Sequence, residues 1–185
     1  MELQALRQFV KKRENLERCD LCASAITDAH PHLFDSTSRR VVCACRPCSI
    51  LFGNDAALRF RLVPERVRQL RDFQISDADW ASLMIPITLA FFVRSSSDGR
   101  VRAFYPSPGG PTESELEIDL WPEVAFEPDV EALLVNRLRG SSEAFIVPID
   151  RCYKLVGIIR TRWRGLSGGA DVWKEIARFF EELRA

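Results

Sequence analysis

The stretch VVCACRPCSI, from Val41 to Ile50, carries three cysteines in ten residues and decides how the N-terminal part of the chain folds. A second run, ERCDLC from Glu17 to Cys22, carries two more, so five of the six cysteines of the chain fall within two short segments. Where thiols stay reduced, cysteines paired in this way bind a metal or do redox chemistry more often than they form structural disulfides. The two segments therefore predict a metal site.

Four of these cysteines have the spacing of metal ligands. Cys19 with Cys22, and Cys45 with Cys48, form two C-x-x-C pairs, and each such turn presents two thiolates from one short knuckle. Two pairs complete the tetrahedral shell of a structural zinc ion, and the separation between them is close to the usual range for four-cysteine sites. We predict that these four residues bind zinc.

The segment around the second pair predicts how the site is built. Pro47 suits the first turn of a helix, and the apolar run over residues 50–52 predicts a short helix that ends at Gly53. A knuckle, a hairpin and a ligand pair at a helix start form a treble-clef or ribbon-like module. The arrangement is physically sound, because a helix N-terminus favours the negative charge of thiolates.

Iron is the main alternative metal. Four thiolates at this spacing also suit a rubredoxin-like centre or an iron–sulfur cluster, either of which would make the protein an electron carrier. The knuckles of rubredoxin usually carry a glycine after the second cysteine, whereas Ala23 and Ser49 stand at these positions. This difference favours zinc.

Cys43, His30 and His32 lie between the predicted ligands. Cys43 is interpreted as a small buried residue or a thiol beside the metal shell, and the alternatives are that it replaces Cys45 or is a redox-active fifth sulfur. The two histidines face the same way on a predicted strand. An HNH nuclease has a histidine in a comparable place, but it also needs a downstream histidine or asparagine at its catalytic metal. No histidine follows His32, so a structural role or an alternative zinc ligand is expected instead.

The chain as a whole is predicted to be an α+β protein in two parts. Residues 1–55 would form an N-terminal helix and the four-cysteine module, and residues 56–185 a mostly antiparallel sheet with flanking helices. Alternating or continuous apolar runs and turn signals predict strands over 58–64, 85–95, 100–108, 129–137 and 143–149. Helical spacing predicts helices over 64–73, 75–84, 150–163 and 170–185. Residues 105–114, rich in Pro, Gly and Ser, are the segment most similar to a linker.

Individual residues support these helices. Ser76 is the expected N-cap of the helix over 75–84, with Asp79 completing a capping box. Asp150 is the expected N-cap of the next helix, whose apolar face would bury Cys152. The last helix is expected to present one apolar side, made of Trp173, Ile176, Ala177 and Phe180.

Composition and charge restrict the function. The formal net charge is zero and 46% of residues are apolar, which argues against a nucleic-acid partner and leaves a nucleic-acid-binding zinc protein as an alternative only. Eight acidic residues and no basic ones lie over 113–131, while seven basic residues lie over 137–164. No apolar run has the length of a signal peptide or a membrane span, so a cytoplasmic protein is expected.

The segment WRGLSGGADVW, residues 163–173, is the remaining motif. It is a Gly-rich loop that leads into a helix, and it is a candidate contact for an anion or a protein partner; the alternative is a plain turn between helices. The candidate contact residues are Arg160, Arg162, Arg164, Gly168 and Gly169. The sequence contains no P-loop, G-x-G-x-x-G or G-x-S-x-G motif, so a non-catalytic protein is favoured.

Several motifs together resemble a known family. The segments CDLC, VCACRPC, AFYPSPGGPTES, FEPDVEALLVNR and VPIDRCYKLVGIIRTRWRGLSGG look like those of an uncharacterised, mainly actinobacterial family whose genes lie near those of uptake nickel–iron hydrogenases. The resemblance covers nearly the whole chain. It implies a setting rather than an activity: an accessory protein in the assembly, maturation or electron supply of a hydrogenase, whose partner is a hydrogenase component or a maturation factor.

Overall fold

The protein is described by a computed structural model that covers residues 17–53, 59–114, 124–140 and 142–185. The helix predicted over residues 1–15 lies outside these ranges. The described strands are β1 (His32–Asp35), β2 (Arg40–Cys43), β3 (Phe60–Leu62), β4 (Arg68–Gln69), β5 (Leu89–Arg94), β6 (Val101–Ser107), β7 (Gly110–Glu113), β8 (Glu131–Asn136) and β9 (Glu143–Pro148). The described helices are α1 (Arg46–Phe52), α2 (Asp77–Ser82), α3 (Ile149–Arg162) and α4 (Gly169–Arg184). The α+β prediction is confirmed.

The small sheet, in the order β2-β1-β3, belongs to the cysteine-rich part of the chain. β1 and β2 form an antiparallel hairpin, and β3 pairs with the other edge of β1 through Leu33 and Leu62. α1 follows β2 and ends at Gly53, as predicted. A Cβ atom at Gly53 would lie 2.5 Å from the carbonyl oxygen of Ser49 and 2.9 Å from the side chain of Leu33. Glycine is therefore required where α1 packs on this sheet.

The large sheet has the order β4-β9-β8-β5-β6-β7, and all of its strand pairs are antiparallel. Successive residues of a strand point to opposite faces of the sheet. Because the central strands carry runs of consecutive apolar residues, both faces of the large sheet are apolar. Leu134 and Phe145 pack against α3 and α4 on one face. Leu133 and Ile146 pack on the other face, in the cluster that contains Trp80 of α2.

Two predicted elements are wrong. The helix predicted over residues 64–73 is instead extended chain that contains the short edge strand β4. The amide of Leu70 donates a hydrogen bond to the carbonyl of Ala144. Pairing with the sheet satisfies this backbone better than an isolated short helix would. The predicted linker over residues 105–114 forms the β6–β7 hairpin. β7 is an edge strand, where Pro111 is tolerated because no neighbour needs its missing N–H.

The helices follow the predicted positions with two corrections. Ser76 caps α2 as predicted, accepting a hydrogen bond from the amide of Asp79. α3 buries Cys152 as predicted, but its N-cap is Pro148, and Asp150 lies within the first turn. On α4, Ala177 is exposed, contrary to the prediction. The apolar face of α4 is instead made by Val172, Ile176, Phe179, Phe180 and Leu183, with Trp173 partly buried beside it.

The cysteine-rich part and the large sheet share apolar contacts. Phe34 of β1 and Val63, which follows β3, belong to the same buried cluster as α3 and α4. Arg61 of β3 also donates a 2.7 Å hydrogen bond to the carbonyl oxygen of Pro128, beside the start of β8. The division into domains at residue 55 stays a prediction.

Candidate metal centre

The first knuckle of the site is a tight turn from Cys19 to Ala23. The amide of Ala23 donates a 2.8 Å hydrogen bond to the carbonyl of Cys19, and Ala23 has a left-handed φ of 61°. Asp20 ties the knuckle to the end of β2, because its carboxylate accepts a 2.7 Å hydrogen bond from the amide of Cys43. The amide of Asp20 donates back to the carbonyl of Cys43 at 2.9 Å. The knuckle is thus joined to the hairpin through both the backbone N–H and the backbone C=O of Cys43.

The second pair lies at the start of α1. Cys45 is the N-cap residue and Cys48 lies in the first turn, with proline in the first helical positions as predicted. The four predicted Sγ atoms lie within 4.8 Å of one another, and those of Cys22 and Cys45 are 3.6 Å apart. A tetrahedral ion with zinc–sulfur bonds of about 2.3 Å needs sulfur atoms about 3.8 Å apart. The cluster can therefore hold a metal ion.

The environment of the four thiols is uneven. Cys19 and Cys48 are buried with Ile26, Leu33 and Ala44, while Cys22 is exposed. Hydrogen bonding with the side chain and backbone of Ser24 lowers the pKa of Cys22 to about 6. A hydrogen bond to Cys45 and burial raise the pKa of Cys48 to about 12. Binding of a metal ion by the cluster would require all four thiols to be deprotonated.

His30, His32 and Cys43 form a separate group. Each offers one ligand atom, and these atoms lie within 4.8 Å of one another. His32 and Cys43 are directly opposed in the β1–β2 pair. The Nδ1 atom of His32 lies 2.9 Å from Oδ2 of Asp150. Sequence reasoning missed this role of Asp150, because nothing local indicates that the first turn of α3 meets β1.

The Gly-rich loop between α3 and α4 is held in shape by hydrogen bonds. The indole of Trp163 donates to the carbonyl of Gly165 at 2.8 Å, and that of Trp173 donates to the carbonyl of Ser167 at 3.0 Å. Gly168 and Gly169 have left-handed φ values of 85° and 78°. The side chains of Arg160, Arg162, Arg164 and Leu166 are exposed around this loop. Arg164 also donates to the carbonyls of Thr161 and Trp163, so it completes the end of α3.

The fold and the site define a class: an α+β protein in which a treble-clef-like module carries a four-cysteine cluster that can bind a metal. The chain belongs to the family described as Family of unknown function (DUF5947), which matches residues 18–185. The matched range includes both cysteine pairs. Comparison with curated proteins finds no match, and comparison with solved structures finds none. Within the described ranges, no helix has both the length and the apolar character needed to cross a membrane.

Proposed function

We propose that Cys19, Cys22, Cys45 and Cys48 hold one structural zinc ion and that the protein is a non-catalytic accessory protein that acts through contacts with another protein. The observation that carries the zinc proposal is the meeting of four thiols from a knuckle and a helix start within 4.8 Å. Four protein ligands leave no open position, which is typical of structural zinc and not of catalytic zinc. The proposal places the protein in a reducing compartment such as the cytoplasm, where these thiols stay available.

Elemental analysis with a visible spectrum tests the metal. We expect protein purified without added metal to be colourless and to retain one zinc ion per chain against a weak chelator. Cys48→Ser should abolish this retention, whereas Cys152→Ala, which removes a buried thiol outside both ligand groups, should keep it. Iron with thiolate charge-transfer bands would contradict the zinc proposal and favour an electron carrier.

The loop between α3 and α4 is the proposed contact surface for the partner. Leu166 is fully exposed at this loop and follows the exposed arginines Arg160 and Arg162 in the chain. An apolar side chain on a hydrogen-bonded loop loses little conformational freedom on binding, and nearby arginines can pair with carboxylates of a partner. This arrangement supports protein contact and needs no bound small molecule.

The resemblance to a family encoded near uptake nickel–iron hydrogenases supports a specific partner. We propose that this partner is a hydrogenase component or maturation factor. Tagged protein expressed in a host that makes such a hydrogenase should co-purify with one of these proteins. Leu166→Asp should weaken the association, while Met84→Asp, at another exposed apolar residue, should not. The absence of any hydrogenase protein from the purified material would contradict the proposed partner.

A further inference from the structure

Beyond the four-cysteine centre, we infer a second and exchangeable metal site, formed by His30, His32 and Cys43, that takes a divalent transition-metal ion. The fold brings the three residues together because His32 and Cys43 are directly opposed on β1 and β2, and His30 lies two residues before His32. Opposed residues share one face of the hairpin, and the ligand atoms of all three residues lie within 4.8 Å of one another. The rings of the two histidines are 4.7 Å apart between centroids.

A buried ring nitrogen of His30 without a hydrogen-bond partner indicates that this group can accept a ligand. The side chain of His30 is only 6% exposed, and its Nδ1 atom lies 2.8 Å from the carbonyl oxygen of Thr27. Its other ring nitrogen, Nε2, is buried and has no hydrogen-bond partner. A buried nitrogen in this state is unfavourable unless something binds it. A metal ion held with His32 and Cys43 would supply the missing partner.

The surroundings of both imidazoles match those of metal-binding histidines. Such a ligand commonly uses one ring nitrogen for the metal and the other for a carboxylate or a backbone carbonyl. His30 has the carbonyl of Thr27, and His32 has the carboxylate of Asp150. Both contacts use Nδ1, which leaves Nε2 of each ring for a metal. The contact of Asp150 Oδ2 with His32 Nδ1 makes Asp150 a positioning residue for His32.

The chemistry and access of the group indicate which ions it takes. Two imidazoles and one thiolate suit borderline ions such as Zn²⁺ and Co²⁺ better than Mg²⁺ or Ca²⁺, which prefer oxygen ligands. The three residues line an open groove of about 1370 Å³. A three-ligand site at a groove keeps a fourth position for water or another exchangeable ligand. We therefore expect weaker and faster-exchanging binding here than at the closed four-cysteine centre.

Equilibrium dialysis of the zinc-loaded full-length chain against Co²⁺ tests the site. The expected result is one zinc and one cobalt per chain, with visible cobalt bands and a thiolate charge-transfer band. Cys43→Ala and His32→Asn should each abolish cobalt binding while the zinc remains. Cys152→Ala is the matched control for loss of a thiol and should bind both metals. Using two variants at different residues protects the test against one of them failing to fold.

A further pair of variants tests whether Asp150 positions His32 for the metal or only stabilises the fold. Asp150→Asn should keep the cobalt stoichiometry but weaken its affinity by about 10–100-fold, because loss of an outer-shell carboxylate typically has this effect. Asp171→Asn, at an exposed aspartate in the first turn of α4, should leave the affinity unchanged.

The outcomes distinguish this inference from the proposed function. Retained zinc without any cobalt binding would overturn the second site and would leave the proposal of a structural zinc intact. A water molecule would then be the partner of His30 Nε2. Cobalt that still binds after both Cys43→Ala and His32→Asn would also overturn it. Zinc that is retained by Cys48→Ser, in protein whose cobalt binding still requires Cys43, would count against the four-cysteine proposal instead.

Discussion

Ala23 completes the first cysteine knuckle in a backbone conformation that favours glycine. Its φ of 61° is left-handed, a region that costs an L-residue about 1–2 kcal/mol. Part of any gain from glycine is offset by the greater freedom of the unfolded chain. We expect Ala23→Gly to raise the free energy of unfolding by up to about 1 kcal/mol, measured by urea denaturation of the metal-loaded protein.

A matched substitution two residues away provides the control. Ala25 is also exposed, but it forms a β-bridge with Arg18 and has no positive φ. Ala25→Gly should therefore lower the free energy of unfolding, by roughly 0.5–1 kcal/mol. Equal effects of the two substitutions would show that the knuckle conformation of Ala23 is not strained.

The ion pair between Asp35 and Arg59 should make the stability of the protein depend on acid pH. It is 3% exposed, and its carboxylate accepts hydrogen bonds of 2.8 and 2.5 Å from the guanidinium of Arg59. This interaction holds the pKa of Asp35 well below its usual range despite burial. Because the folded pKa is depressed, the stabilisation is present above the unfolded pKa of about 3.9 and is lost as the pH falls below it.

The variant Asp35→Asn tests this dependence. We expect the free energy of unfolding of the wild-type protein to fall between about pH 5 and pH 2, and the fall to be smaller in Asp35→Asn because that side chain does not titrate. Asp28→Asn, at an exposed turn, should keep the wild-type profile. Parallel profiles for the wild type and Asp35→Asn would refute the role of Asp35.

At the scale of elements, an ion pair attaches the segment before β4 to β8. Glu131, the first residue of β8, is fully buried, and its carboxylate accepts hydrogen bonds from Arg66 at 2.9 Å and from the amide of Glu127 at 2.8 Å. Removing Arg66 would take away the guanidinium that is hydrogen-bonded to this buried carboxylate. We expect Arg66→Met to lower the free energy of unfolding by roughly 1–3 kcal/mol, measured by thermal or chemical denaturation.

Arg68 provides the comparison for this pair. Its guanidinium is 4.0 Å from the same carboxylate, beyond hydrogen-bond distance, and instead donates to the carbonyl of Ala125. Arg68→Met should therefore destabilise the protein less than Arg66→Met. The opposite order would mean that the charge of Glu131 is balanced mainly from β4.

At the scale of the whole molecule, the small sheet should depend on the metal more than the large sheet does. The buried cluster around the four cysteines contains few apolar residues, among them Ile26 and Leu33, whereas the large sheet lies between two extensive clusters. Small cores commonly need a metal to stay folded. Chelation should increase amide hydrogen exchange in β1–β3 while β8 and β9 stay protected.

Hydrogen exchange measured by mass spectrometry, with and without the chelator, checks this expectation. Cys48→Ser should reproduce the pattern of the metal-free protein without chelator, and Cys152→Ala should not. Equal loss of protection in both sheets would show that the metal stabilises the molecule as a single cooperative unit. No change in β1–β3 would show that the small sheet folds without metal.

Several features of this protein can be predicted from the sequence because each is determined by residues that are close together in the chain. The two C-x-x-C pairs and the helix that ends at Gly53 predict the metal module, since a knuckle or a short helix is encoded within a few residues. Ser76 and Asp79 form the predicted cap for the same reason. The apolar runs of β5, β8 and β9 predict strands because a strand that is buried along its length has a continuous run of apolar residues.

Other features were decided only by the tertiary structure. β4 and β7 exist because a neighbouring strand edge accepts their backbone, and neither has a local pattern strong enough to predict it. Asp150 has the sequence context of a helix cap, yet the packing of α3 beside β1 makes it the partner of His32. The group of His30, His32 and Cys43 likewise depends on strand register. Interactions between distant segments are set by which surfaces the fold brings together, and short-range sequence patterns do not record that.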